Sequence, residues 1–248
     1  MTKIALIFIA PVISLFLIVA VFDSRVVIRY KPTITTNVYD TQSRLIATLI
    51  PNHKHRIYIH FEDVPIKFIQ LLIAIEDHDF FNHFGIRFSS IIRSIKTNLF
   101  SLSKSQGGST ITQQLVKNVA LNSKKNWIRK IREIIAAVFV DTILSKKKIL
   151  ELYINEIYFG HGFYGFQTAA QGYFGKNLDQ ISLKEFTILL AIVRAPNKFN
   201  PIAAQQNNLN LANIYIDRFY KLGLIDLNQR QISRIKIPII LKPSFPRI

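Results

Sequence analysis

The chain has 248 residues, 49% hydrophobic and 19% charged, a composition that excludes intrinsic disorder and suits one domain of ordinary size. Its 32 Lys and Arg against 15 Asp and Glu give a formal charge of +17, which directs it toward nucleic acid, anionic lipid headgroups or phosphorylated substrates. Cysteine is absent, which excludes disulfides, thiolate metal sites and a cysteine nucleophile.

From Ile4 to Phe22 no residue is charged and Ser14 is the only polar one. At about 1.5 Å per residue this run just crosses a hydrocarbon core of roughly 30 Å. It is longer than the ~7–15-residue apolar core of a cleaved signal peptide, and no Ala-x-Ala site follows it. Residues 1–25 are therefore expected to form a transmembrane anchor, kinked but not prevented by Pro11. Lys3 on one side and Arg25, Arg29 and Lys31 on the other would, by charge bias alone, leave the body in the cytoplasm.

Residues 26–60 are rich in β-branched side chains and predict a linker with short strands. Residues 61–248 then read as one mainly α domain. The apolar spacing of Ile66, Ile69, Leu72, Ala74 and Ile75 predicts a helix ending at Glu76-Asp77. Further helices are expected over roughly 88–99, 110–120, 127–144, 146–159, 183–194 and 209–222, with a loop at 101–108 and an extended tail at 238–243.

Three groups of residues carry chemistry. Glu76-Asp77-His78-Asp79 ends a strongly apolar helix and is followed by His83 and Gly85. Burial there favours proton uptake by a carboxylate, and two acids at the unfavourable end of a helix dipole ask for a reason beyond capping. Gly107-Gly-Ser109 leads into Thr110, Thr112, Gln113, Gln114, Lys117 and Asn118, a glycine-to-helix transition suited to an anion or to an oxygen-rich ligand. It is not a nucleotide-binding P-loop, because no lysine follows the glycines in register. Arg129-Lys130-x-x-Glu133 places one carboxylate three and four residues after two cations, either as a surface ion-pair ladder or as a diphosphate grip.

In this order, Glu-Asp-x-x-Phe-x-x-His-x-Gly, Gly-x-Ser-Thr-Ile-Thr-Gln-Gln-Leu-x-Lys-Asn and Arg-Lys-x-x-Glu resemble the motifs of glycosyltransferase family 51. Those are the peptidoglycan glycosyltransferases found alone or as the N-terminal half of bifunctional penicillin-binding proteins. The likeness continues through Ser145-Lys146-x-x-Ile149-Leu150-Glu151-x-Tyr153-Ile154-Asn155 and Ala170-x-x-Tyr173-Phe174-Gly175-Lys176 to Pro196–Pro201. Asp141, Ile154 and Phe199 stand where the family usually has Glu, Leu and Tyr.

The resemblance implies a lysozyme-like, two-lobed domain on a single-pass N-terminal transmembrane helix, facing outward from the cytoplasmic membrane. That location overrides the local charge bias. It implies Glu76 as the general base and Glu133 as a second catalytic carboxylate that orients the cations or holds a divalent ion, Mg2+ or Mn2+. Lys117, Arg129 and Lys130 would bind the donor diphosphate. Asp77, His83, Ser109, Thr112, Gln113, Gln114, Asn118 and Asn155 would complete the substrate site. The expected partners are lipid II, the growing glycan strand, membrane lipids and other cell-wall synthesis proteins, with no nucleic acid. Ile86–Leu102, apolar and basic, is expected to dip into the lipid interface. The chain ends soon after the last motif, and Ser101-x-x-Lys104 and Ser145-x-x-Lys148 lack the companion motifs of a penicillin-binding site, so a monofunctional enzyme is expected. The alternative is a lytic transglycosylase or lysozyme-like hydrolase, which would share a catalytic Glu but need no diphosphate grip. A non-enzymatic basic membrane protein is a third reading, in which Glu76 would be dispensable.

Overall fold

A computed structural model describes residues 2–87, 108–121 and 126–241. The expected helix at 88–99, the loop at 101–107, the end of the tail and nearly all of the segment expected to dip into lipid lie outside the described residues. The described chain is mainly helical and divides into two compact units: 1–31 with 76–153, and 32–75 with 154–248.

The first unit opens with α1 (Thr2–Ile28), which runs through Pro11 without ending. Ala20, Asp23, Ser24 and Val27 recur at helical spacing and are buried. That stripe packs against α3 (Ile111–Ala120) and α4 (Trp127–Ile143). Arg132 on α4 donates two hydrogen bonds to the Asp23 carboxylate, Nε at 2.9 Å and Nη2 at 2.8 Å. Both later helices start at side-chain caps. Thr110 and Gln113 form a reciprocal capping box for α3, and the Asn126 side chain accepts from the Arg129 amide. Among the described residues no helix is long and apolar enough to cross a membrane. Most of α5 (Lys146–Glu156) also belongs to this unit.

Gly85 turns the chain at φ 76°, and a Cβ there would collide with the carbonyl of Ala137 on α4. Only glycine permits both the left-handed backbone and this close approach.

The second unit holds β1 (Thr36–Tyr39) paired antiparallel with β2 (Leu45–Leu49), and β3 (His55–Arg56) paired parallel with β4 (Phe163–Tyr164). Its helices are α2 (Ile66–Glu76, whose last residue belongs to the first unit), α6 (Phe166–Phe174), α7 (Leu183–Arg194), α8 (Gln205–Lys221) and α9 (Leu227–Ile235). Helix α7 is buried continuously from Lys184 to Ile192 and forms the centre of the unit. Phe186 on it stacks on Phe68 at 4.3 Å and on Phe166 at 5.6 Å between ring centroids. The segment read as a linker is tied into this core: Arg56 is fully buried, donates to the carbonyls of Asn155 and Thr33, and pairs with the buried Glu156 carboxylate.

Candidate active site

The first unit brings Glu76, Ser109, Gln114, Lys117, Arg129, Lys130 and Glu133 into one interacting group. Glu76, half-buried at the end of α2, accepts a hydrogen bond from Gln114 Nε2 at 2.9 Å. The buried Tyr153 hydroxyl donates to the other amide atom, Gln114 Oε1, at 3.1 Å. This fixes the amide with its NH2 toward the carboxylate. Glu76 is therefore oriented by a neutral donor, an arrangement that suits an ionised carboxylate acting as a base.

The cations gather on α3 and α4. Lys130 Nζ donates to Ser109 Oγ at 2.9 Å and pairs with the buried Glu133 carboxylate. Burial pushes the Lys117 ammonium below the ordinary lysine pKa. Glu133 acts against that shift, Arg129 and Lys130 add to it, and Glu76 again opposes it. These four influences show that both carboxylates and both other cations act electrostatically on Lys117. Among the described residues, the buried Nε of Arg129 has no hydrogen-bond partner. A buried guanidinium donor without an acceptor, beside two lysines, fits an oxyanion ligand.

Other expected site residues are engaged internally. Asp77 is fully buried; its Oδ2 lies 2.9 Å from His83 Nε2 and accepts the Ile111 amide at 3.0 Å. Asp77 thus pins the first motif to the start of α3, so it sets where the residues of that helix stand. Thr112 donates to Asp141 at 2.7 Å, and Asp141 pairs with Lys146 at 2.7 Å. Gln113 closes the capping box on Thr110. Asn118 is half-buried on the same helix. Asn155 falls in the second unit, where its side chain donates to and accepts from the Ile59 peptide at 2.8 and 2.9 Å. Tyr153 was legible only as part of a motif; the signal for its role is its place on the helix that meets Gln114, which spacing does not reveal.

Glu133 is also the residue expected to hold a divalent ion. Its carboxylate is paired with Lys130, and among the described residues no group of three or more His, Cys, Asp or Glu side chains could hold a metal ion.

The transglycosylase family profile matches residues 42–220, well over half of the chain. The chain belongs to the transglycosylase family. Among the relatives of this transglycosylase chain, penicillin-binding protein 1A of Aquifex aeolicus (strain VF5) is 35% identical over 251 residues, covering 98% of this chain and 34% of that protein. Penicillin-binding protein 1A of Escherichia coli (strain K12) is 37% identical over 201 residues, covering 81% and 23%. Penicillin-binding protein 1F of Bacillus subtilis (strain 168) is 36% identical over 174 residues, covering 70% and 24%. The transglycosylase chain therefore spans about a third or less of the length of these relatives. The crystal structure of penicillin-binding protein 1A from Haemophilus influenzae shares the fold, with a TM-score of 0.50 at 19% identity over 88% of this chain and 22% of that one. The family expected from the motifs is borne out.

Proposed function

We propose that this transglycosylase polymerises lipid II into β-1,4-linked glycan strands, inverting the anomeric centre and releasing polyprenyl diphosphate. The observation that supports this most directly is the grouping of Glu76, held by Gln114, with Lys117, Arg129 and Lys130, one of whose buried donors has no acceptor among the described residues. Glu76 takes the proton of the acceptor's 4-hydroxyl as that oxygen bonds to the donor's anomeric carbon. The bond from that carbon to the diphosphate breaks, and its electron pair leaves on the diphosphate, whose charge the three cations offset. Glu133 positions Lys130 through their ion pair.

The reading includes an anchor. The uncharged run Ile4–Phe22 within α1 is assigned to the membrane, with the catalytic unit on the outer face of the cytoplasmic membrane where lipid II is presented. A divalent cation, in this reading, would arrive with the substrate's diphosphate oxygens, and Glu133 is the residue of this group that would hold it.

The test is polymerisation of labelled lipid II by the detergent-solubilised full chain beside Glu76→Gln. Long glycan from the parent and a loss of roughly 10²–10⁴-fold in the variant are expected. Equal product from both would remove Glu76 from the mechanism. Soluble fragments released from purified cell walls, with no polymer made, would replace polymerisation by strand cleavage.

A further inference from the structure

Past the first motif the chain turns beside α4 and leaves a cavity of about 380 Å³ in the first unit. Phe84, Ile86 and Val138 give it an apolar wall, and Asn82, His83 and Arg87 carry its polar groups. A volume of that order suits a small ligand or one substituent of a larger one. Val138 follows Arg129 by nine residues, so it stands about 180° round α4 from Arg129 and roughly 13.5 Å further along the axis. The cavity is therefore separate from the cation group.

Two buried polar atoms of its lining residues have no hydrogen-bond partner among the described residues, His83 Nδ1 and Arg87 Nε. Their needs are opposite. His83 Nε2 faces Asp77 Oδ2 at 2.9 Å, and that oxygen already accepts the Ile111 amide. In a neutral ring the proton then sits on Nε2, and Nδ1 presents a lone pair. Arg87 Nη1 donates to His78 Nδ1 at 2.8 Å, while its Nε stands 3.5 Å from Asp77 Oδ1, an ion pair without a hydrogen bond. Nε thus keeps an unspent donor. A buried donor and a buried acceptor without partners ask for a ligand or water that meets both. A carboxylate would leave Nδ1 without a donor. A secondary amide supplies one acceptor and one donor, and its apolar substituent has a wall to rest on.

We infer that this cavity is a subsite for a secondary amide of the peptide that lipid II carries. The amide oxygen accepts from Arg87 Nε, its N–H donates to His83 Nδ1, and a small side chain rests on Ile86 and Val138. This depends on the reading of lipid II as the substrate. Sugar N-acetyl groups offer the same chemistry. The one on the donor sugar sits beside the anomeric carbon that holds the diphosphate, too near the cation group for this cavity. An extended peptide, at about 3.3–3.6 Å per residue, covers the separation in roughly four residues.

The test uses the detergent-solubilised full chain and Val138→Phe, which fills the cavity. Three labelled substrates are compared: lipid II, lipid II without its peptide, and lipid II with free amines in place of its N-acetyl groups. Removing the peptide should raise KM of the parent about tenfold, the worth of two hydrogen bonds. Val138→Phe should raise KM for lipid II as much and leave that for the peptide-free substrate unchanged. Phe84→Ser, at an exposed wall position, repeats the comparison if Val138→Phe lowers Tm, with a smaller change in the same direction. An effect of Val138→Phe that persists without the peptide but vanishes without the N-acetyl groups assigns the amide to a sugar and overturns the inference. An equal effect on all three substrates, or none, also overturns it and leaves the cavity to water. A chain that polymerises none of them removes the reading of function, and the cavity is then read directly. Saturation-transfer NMR with the free peptide should show contact at its methyl groups in the parent, lost in Val138→Phe. No transfer from the parent overturns the inference.

Discussion

At the residue scale, Glu76, the proposed base, is held by two neutral groups. Gln114 holds Glu76, and Tyr153 holds Gln114. A hydrogen bond to a charged group contributes roughly 1.5–3 kcal/mol, which corresponds to about 10–100-fold in rate if it acts on the base. Gln114→Leu should therefore lower kcat by about that factor in the lipid II assay with little change in KM, and Tyr153→Phe should do so less. Equal loss in KM alone would show that Gln114 serves binding. Lys117 gives a pH signature. Its pKa is lowered chiefly by burial, and in the proposed role it would grip a diphosphate only while protonated. The alkaline limb of kcat/KM, which reports the unoccupied site, should fall at a pH below the ordinary lysine value of about 10.4. In kcat the limb should move upward, because a bound diphosphate favours the ammonium. Lys117→Arg should remove the limb from both profiles.

At the scale of elements, the start of α3 is fastened from outside the helix. Asp77 accepts the Ile111 amide, and Thr110 Oγ1 donates to the Gly85 carbonyl at 2.5 Å. Asp77→Ala leaves that amide and the His83 ring without their buried acceptor. It should destabilise the first unit by at least about 1–3 kcal/mol, read as a lowered Tm in detergent. Activity should fall with it, because Gln114 and Lys117 ride on the same helix. The two acids at the end of α2 thus have different fates: Glu76 faces the cation group and Asp77 faces inward. Their adjacency in sequence made both candidates for substrate contact. A turn of backbone between them decides which one reaches a ligand.

At the scale of the whole molecule, stability and surface charge are separate matters. In the second unit Arg56 and Glu156 are paired with no solvent between them and the core. Removing one partner of such a pair leaves an uncompensated buried charge, at a cost of about 3–5 kcal/mol. Arg56→Met should lower Tm strongly, and adding Glu156→Leu should restore a large part of the loss. The formal charge of +17, by contrast, acts on partners. Binding of the full chain to anionic vesicles should be faster than to neutral ones at low salt, and that difference should shrink as ionic strength rises and the Debye length shortens.

Sequence alone was enough for most of the described helices, because apolar spacing along one segment is a local property, though not for the nine-residue α6 and α9, and for the family, because its motifs occur in a set order. It also singled out Glu76 and the Lys117, Arg129, Lys130 and Glu133 cluster. Tertiary structure decided what each polar residue faces. Thr112, Gln113, Asp77 and Asn155 are engaged by Asp141, Thr110, Ile111 and Ile59, and Arg56 ties the segment 32–60 into the second unit. Asp23 meets Arg132 across more than a hundred residues of chain. Such partners are chosen by packing between distant segments, so no spacing within either segment announces them.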